Sequence, residues 1–144
     1  MDGVVTPEER ELRLLLGDVR SIAMVGLSSR PSRPSYEVAV YLQAHGYRIV
    51  PVNPRETEVL GEPAYASLRD IPADVAIDVV DVFRRAEETP AVAREAVAIG
   101  AKVLWLQEGI VSEEAARIAS EAGLEVIMGV CIKQVRTRLM GETA

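Results

Sequence analysis

Short, almost wholly apolar runs alternate with amphipathic stretches along this chain. The runs are Ile22–Leu27, Tyr47–Val52, Asp74–Phe83, Lys102–Leu106 and Leu124–Met128. Each is strand length. The third, with Val75, Ala76, Ile77, Val79, Val80 and Val82, is apolar at nearly every position rather than at every second one. Such a run suits a strand covered on both faces. Between the runs lie segments with helical spacing. Ser35–His45 carries Val38, Tyr41 and Leu42 on one face, Ala91–Ile99 ends at Gly100, and a segment capped by Ser112 ends at Gly123. Ile132–Met140 reads as a closing helix, and Ser67–Ile71 as a single helical turn before Pro72. Glu56–Ala66 reads as loop, with Gly61 and Pro63 as breakers. Near the start, Thr6, Pro7 and Glu9 form a helix-entry signal, Leu12, Leu15 and Leu16 a stripe, and Gly17 a stop.

Strands alternating with helices predict a parallel sheet, because parallel neighbours need helical crossovers. The expected fold is α/β: a Rossmann-like, doubly wound, mainly parallel five-stranded sheet with helices on both faces. The whole of 1–144 reads as one domain, with the helix of 1–17 packed upon it. Ligands of such sheets lie beyond the carboxyl ends of the strands. The segments that matter are therefore 26–35, 51–55, 81–84, 107–109 and 129–133.

The first of these is the most informative. Gly26 follows an apolar strand and opens the small-residue loop Leu27-Ser28-Ser29-Arg30, which leads through Arg33 and Pro34 to Ser35 at a helix start. Gly26 allows a tight turn, Ser28 and Ser29 add hydroxyls to backbone N–H groups, and Ser35 is placed to cap the helix. A strand–helix junction of this kind offers free N–H groups and the positive end of a helix dipole to an anion. Arg30 and Arg33 suit phosphate oxygens. The loop departs from the dinucleotide fingerprint, which needs further glycines and an acidic residue at the end of strand two. Here only Gly26 is glycine and strand two ends in Val52-Asn53-Pro54. Both features argue against NAD.

Composition narrows the classes. Hydrophobic residues make up 49% and charged residues 26% of 144 residues, an ordinary globular balance. The net charge of −6 argues against a general nucleic-acid binder. It leaves a phosphate ligand open, since the local field governs binding. Cys131 is the sole cysteine, so no internal disulfide forms, in keeping with a reducing cytoplasm. No apolar run approaches the ~18 residues of a membrane span, and the amino terminus lacks signal-peptide character.

Several short segments occur together in one order: Val25-Gly-Leu-Ser-Ser29, Pro34-Ser-Tyr36, Gly46-Tyr-Arg-Ile-Val-Pro-Val-Asn-Pro54, Val80-Asp-Val-Phe-Arg84, Trp105-Leu-Gln-Glu-Gly109 and Cys131-Ile-Lys133. With this set the chain resembles the small stand-alone CoA-binding proteins, themselves similar to the N-terminal CoA-binding domain of the succinyl-CoA synthetase α-subunit. The resemblance covers about residues 18–140. It implies coenzyme A, or an acyl-CoA, as ligand. The loop Gly26, Leu27, Ser28, Ser29 and Arg30 would receive the phosphates, with Ser35 at its end. Val52, Asn53 and Pro54 would lie beside the adenosine. Val80, Asp81, Val82 and Phe83, with Leu106, Gln107 and Glu108, would line the cofactor from the tips of strands three and four. Arg30, Arg33 and Arg55 are the cations placed to reach a pyrophosphate and a 3′-phosphate. The chain departs from the family pattern before Cys131, where Gly129-Val130 stands in place of an expected Asp-Arg pair.

The resemblance implies a non-catalytic carrier, sensor or regulatory protein, because the synthetases' phosphohistidine domain has no counterpart here. His45 reads as a helix-end residue. Two other readings stay open. One is a small enzyme using acyl-CoA or NAD(P) through Asp81, Glu108 or Cys131. The other is a module docking on a protein partner with a vestigial site. Cys131 is either a thiolate at a helix start or a small buried hydrophobe, and Trp105, inside strand four, reads as core.

Overall fold

In the computed structural model, residues 7–141 are described. Thr6 of the helix-entry signal lies outside them. Helix α1 (Pro7–Asp18) leads into β1 (Ser21–Val25), α2 (Pro34–Ala44) and β2 (Arg48–Val52). A small antiparallel ribbon, β3 (Glu58–Val59) and β4 (Glu62–Pro63), falls within the segment read as loop. Then come β5 (Val79–Val82), α3 (Thr89–Ala98), β6 (Val103–Leu106), α4 (Glu113–Glu121), β7 (Glu125–Met128) and α5 (Ile132–Met140). The main sheet has five strands in the order β2-β1-β5-β6-β7, every pair parallel. This is the Rossmann-like α/β architecture expected from the alternation.

Strand periodicity divides the core into two layers. Ile22, Met24, Ile49, Val79, Val103 and Trp105 point one way, into a layer with Leu16 of α1, Leu42 of α2 and Leu139 of α5. Ala23, Val25, Val50, Val80, Val82, Leu104 and Leu106 point the other way, onto Ala93 and Ala96 of α3 and Ala115 and Ala119 of α4. Alanine at these helix positions lets α3 and α4 approach the sheet closely. Helix α1 is tied down by its own contacts. The Tyr47 hydroxyl donates to the Leu16 carbonyl, Arg13 Nε donates to the Leu139 carbonyl at 3.1 Å, and Arg138 pairs with Glu9.

Two expectations need correction. The third strand does not begin at Asp74. It spans only Val79–Val82, and Ala76 is exposed. A polar knot holds the chain out of the sheet before it. The Asp78 carboxylate accepts from the backbone N–H groups of Arg20 and Ser21 at 2.7 and 3.2 Å, and Ser21 Oγ donates to the Ala76 carbonyl at 2.7 Å. Ser35 does not cap α2. Arg33 holds the N-cap position and Pro34 the first turn, and Ser35 turns its hydroxyl back to the loop instead. Other signals are met: Ser112 Oγ accepts from the Ala115 N–H at 3.1 Å, and the helical turn expected over Ser67–Ile71 is present as Leu68–Asp70, closed by a capping box of Ser67 and Asp70 that the sequence reading did not name.

Candidate functional site

Beyond the carboxyl ends of β1, β2 and β5 the chain leaves a cavity of about 760 Å³. Successive chain segments diverge here: β1 continues to β2 on one side, while β5 joins from the other. That is where doubly wound sheets bind ligands. The volume falls within the range of small-molecule sites.

Gly26 starts the cavity wall. Its φ is +91°, and a Cβ at this position would lie 2.5 Å from the Phe83 carbonyl oxygen. The close approach is fixed by ladder bonds on both sides, Gly26 N–H to the Val52 carbonyl at 2.7 Å and Phe83 N–H to the Val25 carbonyl at 2.8 Å. Glycine is therefore required where β1, β2 and β5 converge. The next residues form a loop stitched by side chains. Ser28 N–H donates to Ser35 Oγ at 3.0 Å, and Arg30 N–H to Ser28 Oγ at 3.1 Å. Ser29 N–H donates to Glu56 Oε2 at 2.9 Å. Opposite, Asn53 clamps the two loops together. Its Nδ2 donates to the Leu27 carbonyl at 3.0 Å and its Oδ1 accepts from the Arg55 N–H at 3.0 Å.

The cavity brings together Gly26, Ser28, Ser29, Arg30, Arg33, Ser35, Asn53, Pro54, Arg55 and Phe83 from the sequence reading. It adds Pro34, Glu56 and Arg84. Arg84 stands two residues past the end of β5, within the segment 81–84 that the strand-end rule picks out. Nothing in the local pattern around Glu56 signals its long-range bond to Ser29. Arg30, Arg33 and Arg55 form no salt bridge among the described residues, whereas Arg84 stands 3.9 Å from Glu88. A strongly cationic concavity thus exists on a chain of net charge −6.

The other candidates lie elsewhere. Leu27, Val52, Val80, Val82 and Leu106 are buried in the two core layers and do not line the cavity. Gln107 is buried and its Oε1 accepts from the Ile132 N–H at 3.1 Å, which caps α5. Glu108 and Cys131 border a smaller cleft of about 300 Å³ with Val130, Gln134 and Arg138. Cys131 is buried at the N-cap of α5 and packs in the first core layer. Asp81 lies within β5, not at its tip. In register it stands between Met24 and Trp105, fully buried, and neither carboxylate oxygen has a hydrogen-bond partner. Burial pushes its pKa well above the usual carboxylate range. Trp105 is core, as expected, with its indole N–H donating to the Val130 carbonyl at 2.9 Å. His45 closes α2 at its C-cap. Among the described residues no group of His, Cys, Asp and Glu is placed to hold a metal, and no helix is long and apolar enough to cross a membrane.

A doubly wound parallel sheet with a glycine-initiated, arginine-rich loop at its switch point is the architecture in which such sheets place their ligand sites. Residues 20–137 match the CoA binding domain family, and the chain belongs to that family. It is 46% identical over 127 residues to YneT, an uncharacterized protein of Bacillus subtilis (strain 168), covering 88% of this chain and 93% of that one. It is 31% identical over 127 residues to the alpha subunit of the ADP-forming acetate–CoA ligase II of Pyrococcus furiosus, covering 82% of this chain but 28% of the subunit. Among solved structures, a hypothetical protein from Pyrococcus horikoshii OT3 superposes with a TM-score of 0.89 at 38% identity, over 98% of this chain and 96% of that one. The family expected from the ordered motifs is thus the family found.

Proposed function

We propose that this protein binds coenzyme A, or an acyl-CoA, in the cavity beyond β1, β2 and β5. We further propose that it acts in the cytoplasm as a non-catalytic carrier, sensor or regulatory protein, folded as one domain. The observation that carries the reading is the convergence of Arg30, Arg33, Arg55 and Arg84 on one cavity with the Gly26 loop. Membership of the CoA binding domain family supports the choice of ligand. The polyanionic half of CoA needs several cations at once. Hydrogen bonds to such charged groups contribute about 1.5–3 kcal/mol each.

In this reading Ser28, Ser29 and Arg30 face the phosphates. Arg33 and Arg55 approach from either side, and Asn53 and Pro54 border the adenosine. Leu27, Val52, Val80 and Val82 pack in the core and support the strands from which these loops spring. Alignment with the stand-alone protein YneT over nearly its whole length supports a role that does not need a ligase's remaining domains.

Calorimetric titration with CoA tests this, with dephospho-CoA and NAD⁺ as comparisons. CoA binds, dephospho-CoA binds more weakly, and Arg30→Ala and Arg33→Ala each weaken CoA by about tenfold or more. Absence of binding by a folded protein freed of co-purified ligand overturns the proposal. Turnover of acyl-CoA abolished by Glu108→Gln or Cys131→Ser overturns its non-catalytic part.

A further inference from the structure

The phosphate-facing loop already has a carboxylate on one of its donors. Glu56 Oε2 accepts from the Ser29 N–H at 2.9 Å, across 27 positions of sequence. Glu56 is the one acidic residue among those lining the cavity, and it stands there with Arg30, Arg33, Arg55 and Arg84. The neighbouring loop amides are engaged differently. Ser28 and Arg30 donate to neutral serine hydroxyls. The Ser29 N–H alone among these three thus makes a charge-assisted bond to an anion, which is the bond a phosphate oxygen makes at such loops.

We propose that Glu56 is a resident anion that competes with ligand phosphate for the Ser29 amide and so sets a threshold for occupancy of the cavity. This rests on the reading of the cavity as a phosphate-ester site. An incoming phosphate meets a like charge, and the two do not share one donor. Binding requires the Glu56 carboxylate to leave the Ser29 N–H and turn to solvent, where it is already partly exposed. The cost is the same for every anion, but it decides occupancy only for those with few other contacts. Inorganic phosphate has no further part with which to offset it. A ligand with a diphosphate, a nucleoside and a long arm does. Glu56 therefore keeps a strongly cationic cavity from filling with free phosphate while leaving it open to a large phosphorylated cofactor. The device leaves the ratio of affinities unchanged and raises the concentration at which each anion fills the cavity, which only the tighter ligand reaches.

The test uses the full chain, Glu56→Gln and Glu56→Ala, each titrated with CoA, inorganic pyrophosphate and inorganic phosphate. Amide NMR of Ser29 is followed in parallel, and thermal melting shows that all three are folded. Both variants bind CoA and pyrophosphate about tenfold tighter than the parent, equivalent to about 1.4 kcal/mol. Phosphate becomes measurable in the variants at concentrations where the parent ignores it. The Ser29 amide resonance of the parent moves on addition of CoA, and that of Glu56→Ala is displaced before any ligand is added. If the parent binds CoA and the folded variants bind it equally or more weakly, the inference is overturned. Glu56 then anchors the loop or accepts from a ligand hydroxyl. If parent and variants alike fail to bind CoA and pyrophosphate, the cavity is not a phosphate-ester site, and the inference falls with that reading.

Discussion

Asp81 offers the sharpest test of the physical argument. It lies in the middle strand of the sheet, in register with Met24 and Trp105, with no hydrogen-bond partner for either oxygen. An orphaned buried polar group costs about 1–3 kcal/mol of stability. Replacing it with an apolar, strand-favouring side chain recovers that cost, so Asp81→Val stabilises by about 2 kcal/mol. For a chain of this size that is a rise in melting temperature of roughly 4–8 °C. The pH dependence follows from the same burial. Asp81 keeps its proton in the folded state to a higher pH than in the unfolded chain. Its favourable contribution is fully present below the unfolded pKa of about 4 and is lost as pH rises toward the folded value. The slope from this group is at most about 1.4 kcal/mol per pH unit. Asp81→Asn, which stays polar but cannot ionise, removes the slope and so gains on the parent as pH rises above about 4. Urea unfolding followed by the fluorescence of the buried Trp105, at several pH values between 5 and 8, measures both effects. A parent and an Asp81→Asn variant with the same pH slope would refute the reasoning, as would an Asp81→Val variant less stable than the parent at neutral pH.

Gly26→Ala combines a left-handed backbone with a Cβ driven onto the Phe83 carbonyl. It costs at least about 1–2 kcal/mol in urea unfolding, and CoA binding in calorimetry is lost with the loop geometry. Asp78 titrates with the opposite sign to Asp81. Burial alone would raise its pKa, but the N–H groups of Arg20 and Ser21 and the Lys102 ammonium at 3.4 Å outweigh that and hold it low. Asp78→Ala therefore costs about 1–3 kcal/mol at neutral pH. The gap to the parent closes as pH falls from about 4 through the lowered folded value, measured by urea unfolding along an acid series.

The strand and helix order was legible because burial on both faces and helical spacing are local signals. So was the loop that opens the cavity, since a strand, Gly26, two serines and a helix start are contiguous. What escaped the sequence depends on contacts between distant segments. Val75 and Ala76 look like strand residues by composition, yet the knot of Asp78, Ser21 and Arg20 ends the pairing before them. Asp81 looks like a strand-tip residue because polar residues often end strands. Only the register with Met24 and Trp105 shows it to be internal. Ser35 has the chemistry of a cap, but Pro34 takes the first turn and leaves the hydroxyl free for the Ser28 amide. Gln107, read as lining a ligand, serves as the acceptor that starts α5.

These differences divide the strand-end residues into two sets by chemistry. Side chains within the strands alternate between two apolar layers and have no route to the cavity, whatever their polarity, which is why Val80, Asp81 and Val82 are all enclosed. Residues past the ends of the strands are free of that alternation, and there Phe83, Arg84, Asn53 and Arg55 reach the cavity wall. The boundary is set by Gly26, whose missing Cβ admits the Phe83 carbonyl and brings the loop ends of β1 and β5 together. A cationic site on an acidic chain follows from this arrangement. The arginines sit on loops where their charges converge through space, while most of the acidic residues lie outside the cavity. Glu56 is the exception, and its place on the Ser29 amide makes it the residue whose removal most directly tests how the cavity handles anions.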